Sequence, residues 1–215
     1  MRAMGKRPAD KNPAVCNSCF AFIEKHHGGA EIEASFLFAD IRGSTTIAEH
    51  MPLTDFHALI DRFHQAATQA VIANDGGVDK FVGDEIVAFF FPLMTGDRHA
   101  VAAVDAAVAI LEATGHRDPD GPWVPVGAGV GTGLAWVGAV GDGMHTDLTA
   151  LGDVVNTTAR LASVATAGEV LVTLEAAAAA GLDPALEVRS LALKGKQDAT
   201  RVVSLPVAPQ EVAVH

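Results

Sequence analysis

The spacing of hydrophobic and polar positions changes repeatedly along the chain, which indicates that short strands alternate with helices. The predicted strands are apolar runs of strand length, bounded by glycine, asparagine or aspartate. One of them is heavily seeded with glycine, which in a strand indicates bulges or close approach of another backbone. The strands are predicted at residues 32–39, 78–82, 86–91, 124–140, 146–151, 170–173, 187–193 and 201–205.

Apolar residues at helical spacing predict the helices. The clearest stripe runs from Phe56 to Val71 and lies on one face of a single helix. Thr54 is predicted to cap the start of this helix, and residues 74–77 are predicted to end it with a left-handed cap. Further helices are predicted after Gly43, from Asp97 to Thr114, from the capping residue Asp153 to Ala165, and in a short alanine-rich segment after residue 173.

This order of elements predicts an α+β fold, because strands and helices alternate but hairpins also occur. We expect a mixed, mostly antiparallel sheet flanked by helices. A chain of 215 residues that is 49% hydrophobic can bury a core of its own in one main domain. That domain is expected at residues 34–207, after an N-terminal appendage at residues 1–33 and before a tail at residues 208–215.

Composition excludes several classes of function. The net charge is −11 and the isoelectric point is near 5.1, which argues against nucleic-acid binding through counterion release. No run approaches the roughly 18 apolar residues of a membrane span. The polar N-terminus lacks the apolar centre of a signal peptide, and two cysteines do not make a secreted disulfide framework. We therefore expect a cytoplasmic protein that is not inserted in a membrane.

The appendage contains a Cys-x-x-Cys pair, Cys16 and Cys19, followed by His26 and His27. These four residues can form a zinc site, alone or across a dimer. The alternative is a short helix in which the two cysteines pack beside Phe20. Both interpretations stay open from the sequence.

The strongest chemical signal is a pair of aspartates that follow apolar strands. Asp40 closes one strand, and Asp84 follows Gly83 in the turn of a hairpin. A carboxylate at the rim of a sheet suits a hard cation, and two on neighbouring strands can bridge the metal pair used for displacement at phosphorus. Each aspartate alone is more typical of a turn or a helix cap than of a metal site. The assignment therefore needs support from other parts of the chain.

Four segments in register supply that support, and together they resemble the class III nucleotidyl cyclases, the family of adenylate and guanylate cyclase catalytic domains. The resemblance extends over about residues 34–205. It implies a ferredoxin-like βαββαβ core with additional C-terminal αβ and hairpin elements. The four segments are Phe38–Thr45, Lys80–Glu85, Leu151–Leu161 and Leu193–Gly195.

The resemblance implies roles for individual residues around the phosphates. Asp40 and Asp84 match the two metal carboxylates, assisted by the backbone carbonyl of Ile41, and imply two Mg²⁺ or Mn²⁺ ions per site. The next turn matches a loop whose backbone amides face the triphosphate, an arrangement that helix N-termini favour. The residues of this turn are Gly43, Ser44 and Thr45.

A predicted helix carries the next matches. Asn156 matches the residue that orients the ribose, and Arg160 matches the one that stabilises the transition-state phosphate. The two residues are four positions apart and so share one face of the helix. Lys194 matches a phosphate-binding lysine, with Lys196 as a nearby alternative.

Lys80 and Thr149 match the pair that reads the purine base. Lysine only donates hydrogen bonds, so Lys80 suits the N1 acceptor of adenine and is mispaired against guanine. The Thr149 hydroxyl can accept a hydrogen bond from the 6-amino group of adenine. The resemblance thus implies an adenylate cyclase that converts ATP to cyclic AMP and pyrophosphate.

Three alternatives are weighed against this prediction. A guanylate cyclase is disfavoured by Lys80, since similar guanylate cyclases have an acidic residue there. A diguanylate cyclase has a hairpin similar to residues 82–86, but lacks the helix with Asn156 and Arg160. A catalytically silent homologue typically loses a metal aspartate or the arginine, and this chain retains both.

The resemblance also implies a homodimer with two shared sites. In such proteins the metal carboxylates come from one subunit, while the base, ribose and transition-state residues come from the other. This chain carries both sets, so a two-fold pair builds two equivalent sites. Regulation is expected to come from another protein or from a sensor domain in a longer parent chain.

Overall fold

The computed structural model describes residues 28–142 and 145–209, which form the predicted α+β fold with one sheet. The strands are β1 Gly29–Ile41, β2 Gly77–Val82, β3 Glu85–Phe90, β4 Val126–Asp142, β5 His145–Leu151, β6 Glu169–Thr173, β7 Val188–Leu191 and β8 Thr200–Pro206. The helices are α1 Ser44–His50, α2 Leu53–Ala73, α3 Pro92–Thr95, α4 His99–Ala113, α5 Asp153–Val164 and α6 Leu174–Ala179. Cys16 and Cys19 lie outside the described residues, so both interpretations of that pair stay predictions.

The strands lie in the order β2-β3-β1-β4-β6-β8-β7, and β5 pairs with the outer half of β4. Within the described chain β4 and β6 pair in parallel, and the other neighbouring strands pair antiparallel. The mixed, mostly antiparallel sheet predicted from the sequence is therefore confirmed. Among the described helices, none has the length and apolar character needed to cross a bilayer.

The continuous apolar run of β1 is explained by its central place, because both faces of the strand are covered. Leu37 and Ala39 contribute to the larger core, which lies between the sheet and helices α2, α4 and α6. Phe36 and Phe38 point to the opposite face and form a smaller core beneath α5. On the face of Phe36 and Phe38, burial ends at Asp40, which is partly exposed, whereas Ile41 on the other face is still buried. Strand β1 thus places the carboxylate of Asp40 at the rim of the sheet.

The glycines of β4 allow α5 to lie directly on the strand. A Cβ atom placed on Gly129 would lie 2.6 Å from the backbone nitrogen of Ala162, and one on Gly131 would collide with the hydroxyl of Thr158. Close backbone approach is therefore the reason for the glycine-rich sequence. This packing fixes the position of the helix that carries Asn156 and Arg160.

Two predicted helix starts and one predicted helix cap are wrong. Helix α2 begins at Leu53, directly after Pro52, and Thr54 lies inside its first turn. Asp97 lies in a 3₁₀ turn that precedes α4, which begins at residue 99. Asp153 is the first residue of α5, so the capping position falls on Gly152, which has no side chain to act as a cap. The Asp153 carboxylate pairs with Lys196.

The other ends of these elements follow from backbone conformation. Asp75 takes the left-handed conformation (φ 58°) and the amide of Gly76 donates to the carbonyl of Val71, which ends α2 as predicted. Strand β1 begins at Gly29, earlier than the predicted start at residue 32. Its exposed first residues are held by backbone pairing with β4 rather than by apolar packing.

Candidate active site

Strand β1 and the β2–β3 hairpin bring Asp40 and Asp84 together at one rim of the sheet. Asp40 pairs in register with Glu85, and Asp84 precedes Glu85 in a turn that the left-handed Gly83 (φ 62°) permits. Burial and then a hydrogen bond with Asp84 raise the pKa of Asp40 to about 6, although the neighbouring Arg42 lowers it. Two carboxyl groups this close repel each other when ionised, and a divalent cation relieves that repulsion.

Glu85 is a third acidic side chain at the same rim, and the sequence pattern gives it no role of its own. Burial, followed by the charges of Asp40 and Asp84, raises the pKa of Glu85 to about 7. Glu85 pairs with Asp40 between β3 and β1, and this pairing identifies it as part of the acidic rim. The rim therefore concentrates negative charge where a hard cation would bind.

Within residues 28–142 and 145–209, no three His, Cys, Asp or Glu side chains form a ready-made metal cage. Mg²⁺ is typically bound by one or two carboxylates plus substrate phosphates and water. The donor set of Asp40 and Asp84 fits that pattern, with the remaining coordination positions left to a nucleotide and to water.

Arg42 lies directly against this rim and was not singled out by any motif. Its guanidinium forms an ion pair with the Asp40 carboxylate. The same guanidinium donates to the carbonyl of Ser163 at 2.8 Å and to that of Ala165 at 3.4 Å. Arg42 thus joins the end of β1 to the end of α5.

The turn after β1, which the sequence predicts to bind phosphate, leads directly into α1. Gly43 is left-handed (φ 69°), and α1 begins at the next residue, Ser44. No described side chain caps this helix start. The backbone amides of the first turn, including those of Ser44 and Thr45, are therefore available to an anionic ligand.

Lys80 and Thr149, far apart in sequence, meet in the structure. The Nζ atom of Lys80 lies 3.5 Å from the Thr149 hydroxyl and 2.5 Å from a carboxylate oxygen of Asp147. Asp147 precedes Thr149 by two residues and so shares its side of β5. Lys80 is opposite Val87 in the sheet, three strands away from β4, so the β4–β5 ribbon must curve over the sheet to make this contact.

A second carboxylate lies on the other side of Lys80. Asp79 is nearly buried, with 6% of its side chain exposed, and its carboxylate is 3.8 Å from the Lys80 Nζ atom. Burial raises the pKa of Asp79 to about 6, the Lys80 charge opposes this rise, and Asp147 adds to it. Lys80 is therefore held between two acidic groups that fix the place of its charge.

Asn156 and Arg160 lie on the same face of α5, as predicted from their spacing. The loop between β7 and β8 crosses that face, because a Cβ atom on Gly195 would lie 3.1 Å from an Nη atom of Arg160. Leu193 anchors the loop in a small core with Leu161.

The same loop separates the two candidate lysines. The Nζ atom of Lys196 contacts both carboxylate oxygens of Asp153, at 2.5 and 2.7 Å. Lys194 is exposed beside Gly195. An ion pair already engages Lys196, which favours Lys194 as the lysine that faces a ligand.

The predicted residues fall into two half-sites within one chain. The acidic half-site contains Asp40 and Asp84, and the basic half-site contains Lys80, Thr149 and the α5 residues. Among the described residues, no hydrogen bond or ion pair links Asp40 or Asp84 to Lys80, Asn156 or Arg160. No contact of this kind therefore joins the acidic half-site to the basic half-site in the described part of the chain.

Comparison with known proteins identifies the family. Residues 30–202 match the model of the adenylate and guanylate cyclase catalytic domain. Adenylate cyclase 1 of Rhizobium meliloti is 32% identical over 148 residues, which are 65% of this chain and 22% of that protein. The chain spans about a quarter or less of the length of the curated relatives it matches first.

Solved structures agree with this match. The guanylyl cyclase Cya2 superposes with a TM-score of 0.74 at 22% identity, covering 86% of this chain and 98% of that one, and shows the fold. The adenylyl cyclase CyaB from P. aeruginosa superposes with a TM-score of 0.71 at 25% identity, covering 86% and 99%. With the family model covering most of its length, this chain belongs to the adenylate and guanylate cyclase catalytic domain family.

Proposed function

We propose that this chain is an adenylate cyclase domain that converts ATP to 3′,5′-cyclic AMP and pyrophosphate. Its family supports cyclase chemistry, and relatives named adenylate cyclase support the choice of ATP. The observation that carries the proposal is the meeting of Lys80 with Thr149, 69 residues apart in sequence, at 3.5 Å.

The chemistry of this pair is complementary to adenine. Adenine presents an acceptor at N1 and a donor at its 6-amino group, while guanine presents the reverse pattern. Lys80 donates and the Thr149 hydroxyl accepts, so both contacts suit adenine. A carboxylate oxygen of Asp147 lies 2.5 Å from the Lys80 Nζ atom and holds the lysine beside Thr149. A guanine in the same place would leave polar groups mispaired, at a cost of about 1–3 kcal/mol each.

The other residues have roles in the displacement at the α-phosphorus. Asp40 and Asp84 hold divalent cations, which when bound lower the pKa of the ribose 3′-hydroxyl and neutralise phosphate charge. Asn156 orients the ribose, and Arg160 donates to the phosphate oxygens that gain charge as pyrophosphate leaves. Lys194 binds the phosphates from the loop that crosses α5.

A homodimer completes this proposal. A two-fold arrangement would place the acidic half-site of one subunit against the basic half-site of the other. Each dimer would then have two equivalent active sites.

The decisive experiment is an assay of the purified chain with ATP or GTP and Mn²⁺, read by product mass, for the wild type and for Lys80→Glu. We expect the wild type to make cyclic AMP. The substitution replaces a donor at N1 by an acceptor, so it should lower kcat/KM for ATP at least about tenfold more than for GTP.

The two substrates control for each other, since a folding defect would lower both rates equally. An equal loss with ATP and GTP would refute the base-reading role of Lys80. If the folded wild-type protein makes no cyclic product from ATP and none from GTP, the cyclase proposal itself is refuted.

A further inference from the structure

Arg42 makes more contacts than an ordinary loop arginine. Its guanidinium pairs with the Asp40 carboxylate and donates to the carbonyls of Ser163 and Ala165, while its backbone amide donates to the carbonyl of Pro125 at 2.8 Å. Its side chain is 19% exposed. The arginine is therefore a fixed part of the structure and not a mobile surface charge.

The anchoring carbonyls lie at the C-terminal end of α5. Helix α5 ends at Val164, and the last carbonyls of a helix have no partner within the helix and carry partial negative charge. Arg42 satisfies the carbonyl of Ser163 from outside the helix. These contacts do not involve Asp40, so they hold the guanidinium beside the acidic rim even when the carboxylate is engaged elsewhere.

The acidic rim needs a counter-charge when no metal is bound. Asp40 lies opposite Glu85 in the ladder, Asp84 directly precedes Glu85, and the Arg42 guanidinium pairs with the Asp40 carboxylate. A divalent cation and a guanidinium on the same carboxylate repel each other, and the repulsion is strong at short range in a partly buried site.

We propose that Arg42 is the built-in counter-cation of the metal site, which a divalent ion must displace from Asp40 in order to bind. This inference rests on the proposed role of Asp40 as a metal ligand. Arg42 then sets the metal affinity of the nucleotide-free protein. Its hold on the end of α5 also links the acidic half-site to the helix that carries Asn156 and Arg160.

The test is a calorimetric titration of Mn²⁺ into nucleotide-free protein, for the wild type, Arg42→Gln and Arg42→Lys. Arg42→Gln removes the competing charge and should bind Mn²⁺ about tenfold more tightly than the wild type. Arg42→Lys retains the charge and should stay within about threefold of the wild type. Equal or weaker binding by folded Arg42→Gln, or equal tightening by both variants, would overturn the proposal.

Two further variants separate this proposal from the proposed function. Asp40→Asn should weaken Mn²⁺ binding, and Arg117→Gln, which removes an arginine paired with the exposed Glu112, should leave it unchanged. If Asp40→Asn weakens binding while Arg42→Gln does not strengthen it, the role of Arg42 fails and the metal site stands. If Asp40→Asn has no effect, both proposals fail.

A measurement on the unmodified protein guards against misfolded variants. The Nε–H signal of Arg42, assigned by its loss in Arg42→Lys, should shift during a Mg²⁺ titration followed by NMR. The signal should move with the same midpoint as binding, because the Nη2 atom of the same guanidinium loses its pair with the Asp40 carboxylate. A signal that does not change at saturating Mg²⁺ would overturn the displacement.

Discussion

At the scale of single residues, the loop that crosses α5 depends on one glycine. Gly195 has a left-handed backbone (φ 78°), and a Cβ atom there would lie 3.1 Å from an Nη atom of Arg160. Gly181 has a similar backbone (φ 66°), but nothing lies within 4 Å of its Cβ position. Substitutions at these two glycines therefore distinguish the effect of backbone strain from the effect of a contact with Arg160.

Gly195→Ala should therefore lower kcat more than Gly181→Ala does. Both substitutions carry the strain of a left-handed alanine, about 1–2 kcal/mol, and so should lower stability alike. The added methyl group at Gly195 also pushes on the arginine proposed to stabilise the transition state, which should reduce kcat about tenfold or more. Steady-state kinetics and thermal unfolding of both variants give the comparison. Equal kcat values in the two variants would show that the loop at Gly195 does not affect the chemical step.

At the scale of elements, the C-terminal strands are tied together by Glu169. This nearly buried carboxylate accepts hydrogen bonds from the amide and hydroxyl of Thr166, from Arg189 on β7 at 2.5 Å and from Ser204 on β8 at 2.6 Å. Burial alone would raise the pKa of Glu169, but the bonds from Ser204, Thr166 and Arg189 outweigh burial and lower it. The ionised form therefore stabilises the folded state.

This lowered pKa gives a prediction with a definite sign. The stabilisation is complete above the unfolded pKa of Glu, about 4.3, and is lost as the pH falls through the lower folded pKa. Glu169→Gln should lower the free energy of unfolding by about 1–3 kcal/mol at pH 7, and by less at pH 3. Urea unfolding at both pH values measures this, with the exposed Glu175→Gln as a matched control. A difference that is the same at both pH values would contradict the assignment.

At the scale of the whole molecule, the proposed homodimer with shared sites predicts complementation between inactive chains. Asp40→Ala removes the acidic half-site, and Arg160→Ala damages the basic one, so each homodimer should be inactive. Equal mixing should give about half mixed dimers with one intact site, hence about a quarter of wild-type activity. Cyclic AMP production after mixing and re-equilibration is the measurement.

The control is a mixture of Asp40→Ala with Asp84→Ala, which damages the same half-site twice and should stay inactive. If Asp40→Ala and Arg160→Ala also fail to complement, although the mixed dimer forms, the sites are not shared between subunits.

Much of the fold could be predicted at this scale because the apolar patterns are unambiguous. Runs such as residues 34–39 are buried on both faces, and the stripe on α2 packs into the larger core as expected. Helix starts were less predictable, because Thr54, Asp97 and Asp153 are typical caps whose side chains do not act as caps here. For Asp153 the reason is its position, since it is the first residue of the helix and Gly152 takes the capping position.

The sequence by itself determined the strand and helix order and the residue types of the candidate site, because local spacing and four motifs carry that information. The tertiary structure decided which other residues the site residues contact. The contacts of Lys80 with Asp147, of Asp40 with Glu85 and of Arg42 with Ser163 join distant segments. Such contacts depend on sheet order, on the curve of the β4–β5 ribbon and on the close packing of α5, none of which local spacing encodes.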